Sequence, residues 1–263
     1  MNTFKNLRYE IDGPIAKLTL NRPDALNAID EAMHSDLLAA LLAIRSNTEI
    51  RAVLFAAEGR AFSAGGDLNE IVALQAEFEL RMRMCETGLR LIYALIDIPV
   101  PIVVALQGDA IGLGASIMLG CDLIVAARSA RIADPHVKMG LVAGDGGCLF
   151  WPASLGMHRA KRYLLTGDLM SAEDAWKFGL VTDLVDTPEA CVPTARKLAD
   201  RIAALPPVAV RGTKRSLNAL TKARAGEVFD LSMAYEMQSA GSEDVLEAVK
   251  AYKEKRQPVF RNR

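Results

Sequence analysis

The sequence predicts an α/β protein, a spiral of strand, strand, helix units followed by a helical C-terminal region. Three observations carry that expectation. Five apolar residues in a row, Ile102 to Leu106, follow two prolines and fit a short strand covered on both faces, and the chain then turns through glycines into an apolar helix start. The strand, strand, helix rhythm recurs without a fixed sequence period, which suggests a spiral rather than a doubly wound sheet. From Gly156 onward the pattern turns helical, and strand signals end near Val185.

At 263 residues and 51% hydrophobic, the chain can bury a sizeable core. Lys plus Arg (31) nearly balance Asp plus Glu (32), so net charge gives no footprint for nucleic acid. Cys85, Cys121, Cys148 and Cys191 form no CxxC, and with only three histidines no zinc spacing can be assembled. They read as reduced core thiols, and no metal site is expected. The start, MNTFKNLRYEIDG, lacks a signal-peptide pattern, and no apolar run nears the ~20 residues that span a bilayer. The expectation is a soluble cytoplasmic protein with neither a nucleic-acid nor a membrane partner.

Taken in order, Leu7–Ile11 and Ile15–Leu20 flank Asp12-Gly13-Pro14 and read as an antiparallel hairpin. Asp30 is placed to cap a helix to about Arg45, with Met33, Leu37, Leu41 and Ile44 along one face. Ala52–Ala57 reads as a strand, Leu68 to about Ile96 as largely helical, and Leu123–Ala127 and Arg131–Ala133 as further strands. Ser171 to Asp174 resembles a capping box, and Thr187-Pro188 places proline at a first helical position. Pro206-Pro207 marks a boundary between a core of residues 1–205 and a region of residues 206–263. That second region reads as three helices, Val208–Leu220, Arg224–Ser239 and Ser242–Arg256, with too few apolar residues for a core of their own.

Two glycine turns carry the first chemical signal. In PIVVALQGDAIGLGASIMLGCD, Gly112 and Gly114 bracket Leu113 at a helix start, so its N–H lacks a helical partner and favours negative charge. In AFSAGGDL, Gly65 and Gly66 again precede a helical run. Two such donors converging on one oxygen form an oxyanion hole. Either turn alone is explained as well by a strand ending in a close-packed turn. A dinucleotide reading of Gly112 to Gly114 fails because G-x-G-x-x-G needs glycine at Ile117.

These two stretches, with NRPDALNAID near the start and AYKEKRQPVF at the end, resemble the enoyl-CoA hydratase/isomerase (crotonase) superfamily along the whole chain, four motifs in order at matching separations. The resemblance implies a crotonase-like spiral whose C-terminal helices pack against other subunits as a homotrimer or homohexamer. It makes the N–H groups of Gly66 and Leu113 the oxyanion hole for an acyl-CoA thioester. Coenzyme A, part of the substrate and not a separate cofactor, would meet backbone around Ala25, Leu26 and Ala28, the turn Ala64, Asp67 and Leu68, and Tyr252 and Lys255 from a neighbouring subunit. Those last two sit in a charge run that reads equally as a solvated helix face. Arg22, Lys255 and Arg256 offer cations for phosphate.

The catalytic positions depart from the family pattern. Its hydratases carry two glutamates where this chain has Ser116 and His136. Ser116 reads as lining the pocket, since serine of ordinary acidity is no base. His136 and Asp145, across the glycine-rich loop of ADPHVKMGLVAGDGG, are the available proton-transfer groups. Each also has a bland reading, a hydrogen-bonded histidine after Pro135 and a turn residue between glycines. The segment resembles the branch containing 6-oxocamphor hydrolase, a β-diketone carbon–carbon hydrolase with such a His/Asp pair. Three functions follow: an acyl-CoA enzyme performing hydration, isomerisation or hydrolysis through an enolate, a β-diketone hydrolase, or a non-catalytic family member.

Overall fold

Strand-favouring residues around Gly13-Pro14 set the first unit, and parallel strands then extend it. The computed structural model describes residues 4–261, so Met1 to Thr3 of the start read above lie outside it. The strands are β1 (Leu7–Asp12), β2 (Ile15–Leu20), β3 (Ala52–Ala57), β4 (Ile102–Leu106), β5 (Ala110–Ile111), β6 (Leu123–Ala127), β7 (Arg131–Ala133), β8 (Met170–Ser171) and β9 (Asp183–Val185). One sheet has the order β1-β2-β3-β4-β6-β9, antiparallel only at the β1–β2 hairpin. The smaller sheet, β5-β7-β8, begins where the first sheet's strands end. The chain climbs from one sheet to the other in successive units, which is the spiral the sequence rhythm predicted.

The helices are α1 (Glu31–Ser46), α2 (Leu68–Ala76), α3 (Phe78–Asp97), α4 (Leu113–Leu119), α5 (Gly147–Leu155), α6 (Met157–Thr166), α7 (Ala172–Phe178), α8 (Cys191–Ala203), α9 (Pro207–Arg224), α10 (Asp230–Ala240) and α11 (Glu243–Glu254). The Asp30 carboxylate caps α1 by accepting from Met33 N, and Met33, Leu37, Leu41 and Ile44 are all buried. Ser171 caps α7 by accepting from Asp174 N.

Strand β4 shows how the sheet divides the interior. Ile102, Val104 and Leu106 join the main core, while Val103 and Ala105 point to a second cluster under α8. There Cys191, Ala195, Ala199 and Ala203 recur every fourth residue, so the fully buried stripe of α8 is made of small side chains, with Val192, Leu198 and Ile202 packed beside it.

The helical reading of Leu68 to Ile96 is corrected at Glu77, which is extended (φ −110°, ψ 99°) and separates α2 from α3. The break holds because the Arg81 guanidinium donates to the carbonyls of Leu74 and Gln75, satisfying the end of α2 from outside its own ladder. The separation read at Arg224 is absent: α9 runs through a π-helical turn, Ala225–Phe229, into α10. Two features left no readable period, the two-residue strands β5 and β8 and helix α5, which contains Pro152 and buries most of its surface. Cys191 is buried and the other three cysteines are half-buried, all free. Among the described residues no helix is long and apolar enough to cross a membrane.

Candidate active site

Three loops zip together at one end of the strands. Asn27 makes the first join: fully buried and left-handed (φ 53°), its amide donates to the carbonyls of Glu58 and Ala61 and accepts from Arg22 N. Asparagine tolerates that backbone region better than most residues, which explains its place in NRPDALNAID. Backbone bonds then tie Ala64 N to Leu26 O at 2.9 Å, Ile29 N to Gly65 O at 2.8 Å and Ile111 N to Ser63 O at 3.0 Å. Gly65 must be glycine. Its φ is +87°, and an added Cβ would lie 2.7 Å from Ile111 O. The two glycine turns are therefore direct neighbours.

A cavity of about 530 Å³ opens beside them and is lined by both Gly66 and Leu113. Neither N–H has an acceptor among the described residues. Gly66 sits in an isolated bridge in which its neighbours make the bonds, and Leu113 opens α4.

Strand β7 delivers the acid–base groups to the same place. Gly112 N donates to Ala133 O at 2.9 Å, so the residues after Ala133 emerge against the second glycine turn. A Cβ on Gly112 would lie 3.4 Å from His136 Cε1. The His136 ring lies between two carboxylates, with Nδ1 on Asp134 Oδ1 and Nε2 3.1 Å from Asp145 Oδ2. Ser116 Oγ donates to Asp145 Oδ1 at 2.8 Å. Glu236, from α10, brings Oε1 to 4.0 Å from His136 Nε2. Room for the Asp134 carboxylate depends on Gly147, where a Cβ would stand 2.1 Å from Asp134 Oδ2.

The electrostatics of this cluster follow from burial and from who faces whom. Burial works against charge on His136, but the carboxylates of Asp145 and Asp134 outweigh it and hold the imidazole well above the ordinary histidine value. For Asp145, burial favours the neutral acid, yet the facing imidazolium and the hydrogen bonds from His136 and Ser116 keep it below the usual carboxylate range. Burial, then the charge of Asp145, pushes Glu236 well above that range, so its acid form is favoured. His34 of α1, also at the cavity, is driven by burial down to about 4 and is neutral. The surroundings thus favour the charged form of His136, the ionised form of Asp145, the acid form of Glu236 and a neutral His34.

The donor atoms of Asp134, His136 and Asp145 lie within 4.8 Å of one another and are the group among the described residues able to hold a cation. The imidazolium already fills the cationic place between the carboxylates. That geometry suits proton transfer better than metal binding.

The cavity collects most of the expected residues: His136, Asp145, Gly66, Leu113, Ala25, Leu26, Ala28, Ala64, Asp67, Leu68 and Tyr252. Two expectations are corrected. Ser116 does not line the cavity; it is fully buried on α4 and acts on Asp145 from behind. Lys255, expected from a neighbouring subunit, does not line this chain's cavity but caps the end of α11 in a left-handed conformation (φ 54°), while Tyr252 and Lys253 of α11 do line it. Arg22 is held by Asp30 and Asp67, and Arg256 by Glu247 and Glu254, so these two expected phosphate cations are neutralised within the chain. Sequence reading missed Asp134, His34 and Glu236. Asp134 had a signal, an acid two residues before the histidine across a proline. His34 and Glu236 had none, since each reads as one polar residue among others on its helix.

The fold is that of the crotonase group. A solved enoyl-CoA hydratase/isomerase from Mycobacterium paratuberculosis superposes with a TM-score of 0.91 at 35% identity, covering 95% of this chain and 99% of that one. The family profile described as enoyl-CoA hydratase/isomerase matches residues 10–263, and the chain belongs to that family and is an enzyme of it. Its relatives include the 1,2-epoxyphenylacetyl-CoA isomerase of Escherichia coli K12, 32% identical over 95% of this chain and 96% of that protein. The short-chain-enoyl-CoA hydratase of Clostridium acetobutylicum is 30% identical over 99% of each.

Proposed function

We propose that this enzyme acts on an acyl-CoA thioester. The thioester carbonyl accepts from the N–H groups of Gly66 and Leu113, and the enolate formed there exchanges protons with the His136–Asp145 pair. One observation carries the reading: both bare N–H groups and the pair open onto one cavity. Backbone donors aimed at a developing oxyanion contribute on the order of 10²–10³ each in rate. Asp145 is the proton acceptor, kept ionised by the imidazolium beside it and aimed by Ser116. Asp134 holds the other ring nitrogen and fixes its orientation.

Coenzyme A arrives as part of the substrate, and the scheme uses no metal or separate cofactor. The loops carrying Ala25, Leu26 and Ala28 and Ala64, Asp67 and Leu68, together with Tyr252, supply its contact surface. Without glutamates at positions 116 and 136, syn-hydration of crotonyl-CoA is expected to be slow, and isomerisation or hydrolysis fits the cluster as well. Exposed Val208, Leu217 and Leu220 of α9 and Leu165 of α6 support assembly into a trimer or hexamer, which light scattering reads directly.

A second reading, a β-diketone hydrolase in which the pair activates water, is favoured by a different observation: Lys253 is the one Lys or Arg lining the cavity among the described residues. The non-catalytic reading loses support, because His136 and Asp145 face the cavity rather than away from it. Calorimetry with coenzyme A, butanoyl-CoA and a bicyclic β-diketone separates the first two, followed by proton NMR of 2- and 3-enoyl-CoA in D₂O. Micromolar butanoyl-CoA binding with deuterium entering the acyl chain is the expected result. Diketone cleavage without acyl-CoA binding overturns it.

A further inference from the structure

The lining of the cavity includes polar groups that the proposed chemistry does not use, one of them, Glu236, 4.0 Å from His136. Ile29, Ile71, Leu74, Met84 and Met237 make much of that lining apolar, as a plain alkyl chain would require. His34 and Glu236 interrupt it. His34 is 4% exposed and its Nδ1 has no partner; Glu236 is 8% exposed and its Oε2 has no partner. Both line the cavity. Each orphaned polar atom at a buried site costs about 1–3 kcal/mol, so a site built for a saturated alkyl group has no reason to keep two.

We infer that the acyl group this enzyme takes carries a second, uncharged oxygen beyond the thioester, a ketone or hydroxyl, held between His34 and Glu236. The inference rests on the acyl-CoA reading above and names the substrate class within it. Glu236 favours its acid form and so offers a proton to an oxygen, while neutral His34 can donate or accept. A carboxylate at this place is disfavoured, because Asp134 and Asp145 already outnumber the one imidazolium.

The test is calorimetric binding of matched pairs to the full chain: 4-oxopentanoyl-CoA against pentanoyl-CoA, and 5-oxohexanoyl-CoA against hexanoyl-CoA. A site that hydrogen-bonds the oxygen discriminates by at least about tenfold in Kd within one pair. His34→Leu is expected to bring that ratio near one while keeping or tightening the binding of the plain acyl-CoA, which marks the variant as folded. Glu236→Gln, still a donor, is expected to keep part of the preference. Equal binding of oxo and plain acyl-CoA by the parent overturns the inference and leaves the acyl-CoA reading standing. Succinyl-CoA binding as tightly as 4-oxopentanoyl-CoA overturns its uncharged character. Failure of every acyl-CoA to bind removes the acyl-CoA reading itself, and the inference with it.

Discussion

The seam under α8 and the cluster around His136 belong to the same interior and are built on opposite terms. In the seam, Ala195, Ala199 and Ala203 meet Val103, Ala105 and Val125, with small apolar groups on both sides. In the cluster, the ionisable side chains of Asp134, His136, Asp145, Glu236 and His34 are buried together. The seam is held by close approach, so it is sensitive to volume and indifferent to pH. The cluster is held by charge balance, so it tolerates isosteric change yet depends on which protons are present. A buried apolar contact needs only the right size, whereas a buried charge needs a named partner.

Removing that partner is the harshest way to break the contrast. His136→Ala is expected to lower turnover by about 10²–10⁴ while shifting acyl-CoA affinity far less, read by steady-state kinetics beside calorimetry. It also leaves Asp134 and Asp145 without their cation, which costs about 3–5 kcal/mol of stability in denaturant unfolding. Unchanged turnover would take His136 out of the chemistry.

Overfilling the seam comes next. Ala199→Leu forces extra methylenes between α8 and the sheet, with an expected loss of about 1–3 kcal/mol and no change in the shape of the pH–rate profile. A shifted profile would mean that the two regions are coupled.

Asp134→Asn keeps the shape of the cluster and changes its proton balance. The folded value of His136 lies above the ordinary 6.5, so its stabilisation is complete below about pH 6.5 and is lost as pH rises through the folded value. Taking away one carboxylate brings that loss to lower pH, visible as an earlier alkaline fall in Tm and activity. Asp145 has the opposite sign: depressed below 3.8, its contribution is present above that value and is lost as pH falls through the folded one. The acid limb is therefore expected to stay where it is.

The smallest expected effect is that of Glu236→Gln on stability. Glu236 is raised, so above its ordinary 4.5 the unfolded chain ionises it while the folded chain keeps the proton, and stability declines over that range. Replacement with glutamine removes this decline, so the variant gains on the parent as pH rises above 4.5 toward the folded value of Glu236. An identical pH dependence would show Glu236 ionised in the folded protein.

How much of this was legible in the chain depended on how local the cause was. The bounds of β3, β4 and β6 were readable because a strand covered on both faces is a short unbroken apolar run. Asp30 and Ser171 announced their helices because a cap acts within three residues. Glu77 was not readable as a break, because what ends α2 there is Arg81 reaching back from the next helix. The π turn at Ala225–Phe229 was not readable either, since Gly226 within it marks a weak point in a helix but not the extra residue of a π turn.

By itself, then, the sequence determined the spiral α/β architecture, the two glycine turns before α2 and α4, and the candidacy of His136 and Asp145. Each rests on periodicity, on a backbone conformation that only certain residues accept, or on a motif carried in one segment. The tertiary structure alone decided that Ser116 serves Asp145 from behind the wall, that Arg22 and Arg256 are already neutralised, and that Asp134, His34 and Glu236 share one cavity. Asp134 comes from the loop after β7, His34 from α1 and Glu236 from α10, and a side chain's proton and role are set by the charges that meet it in space.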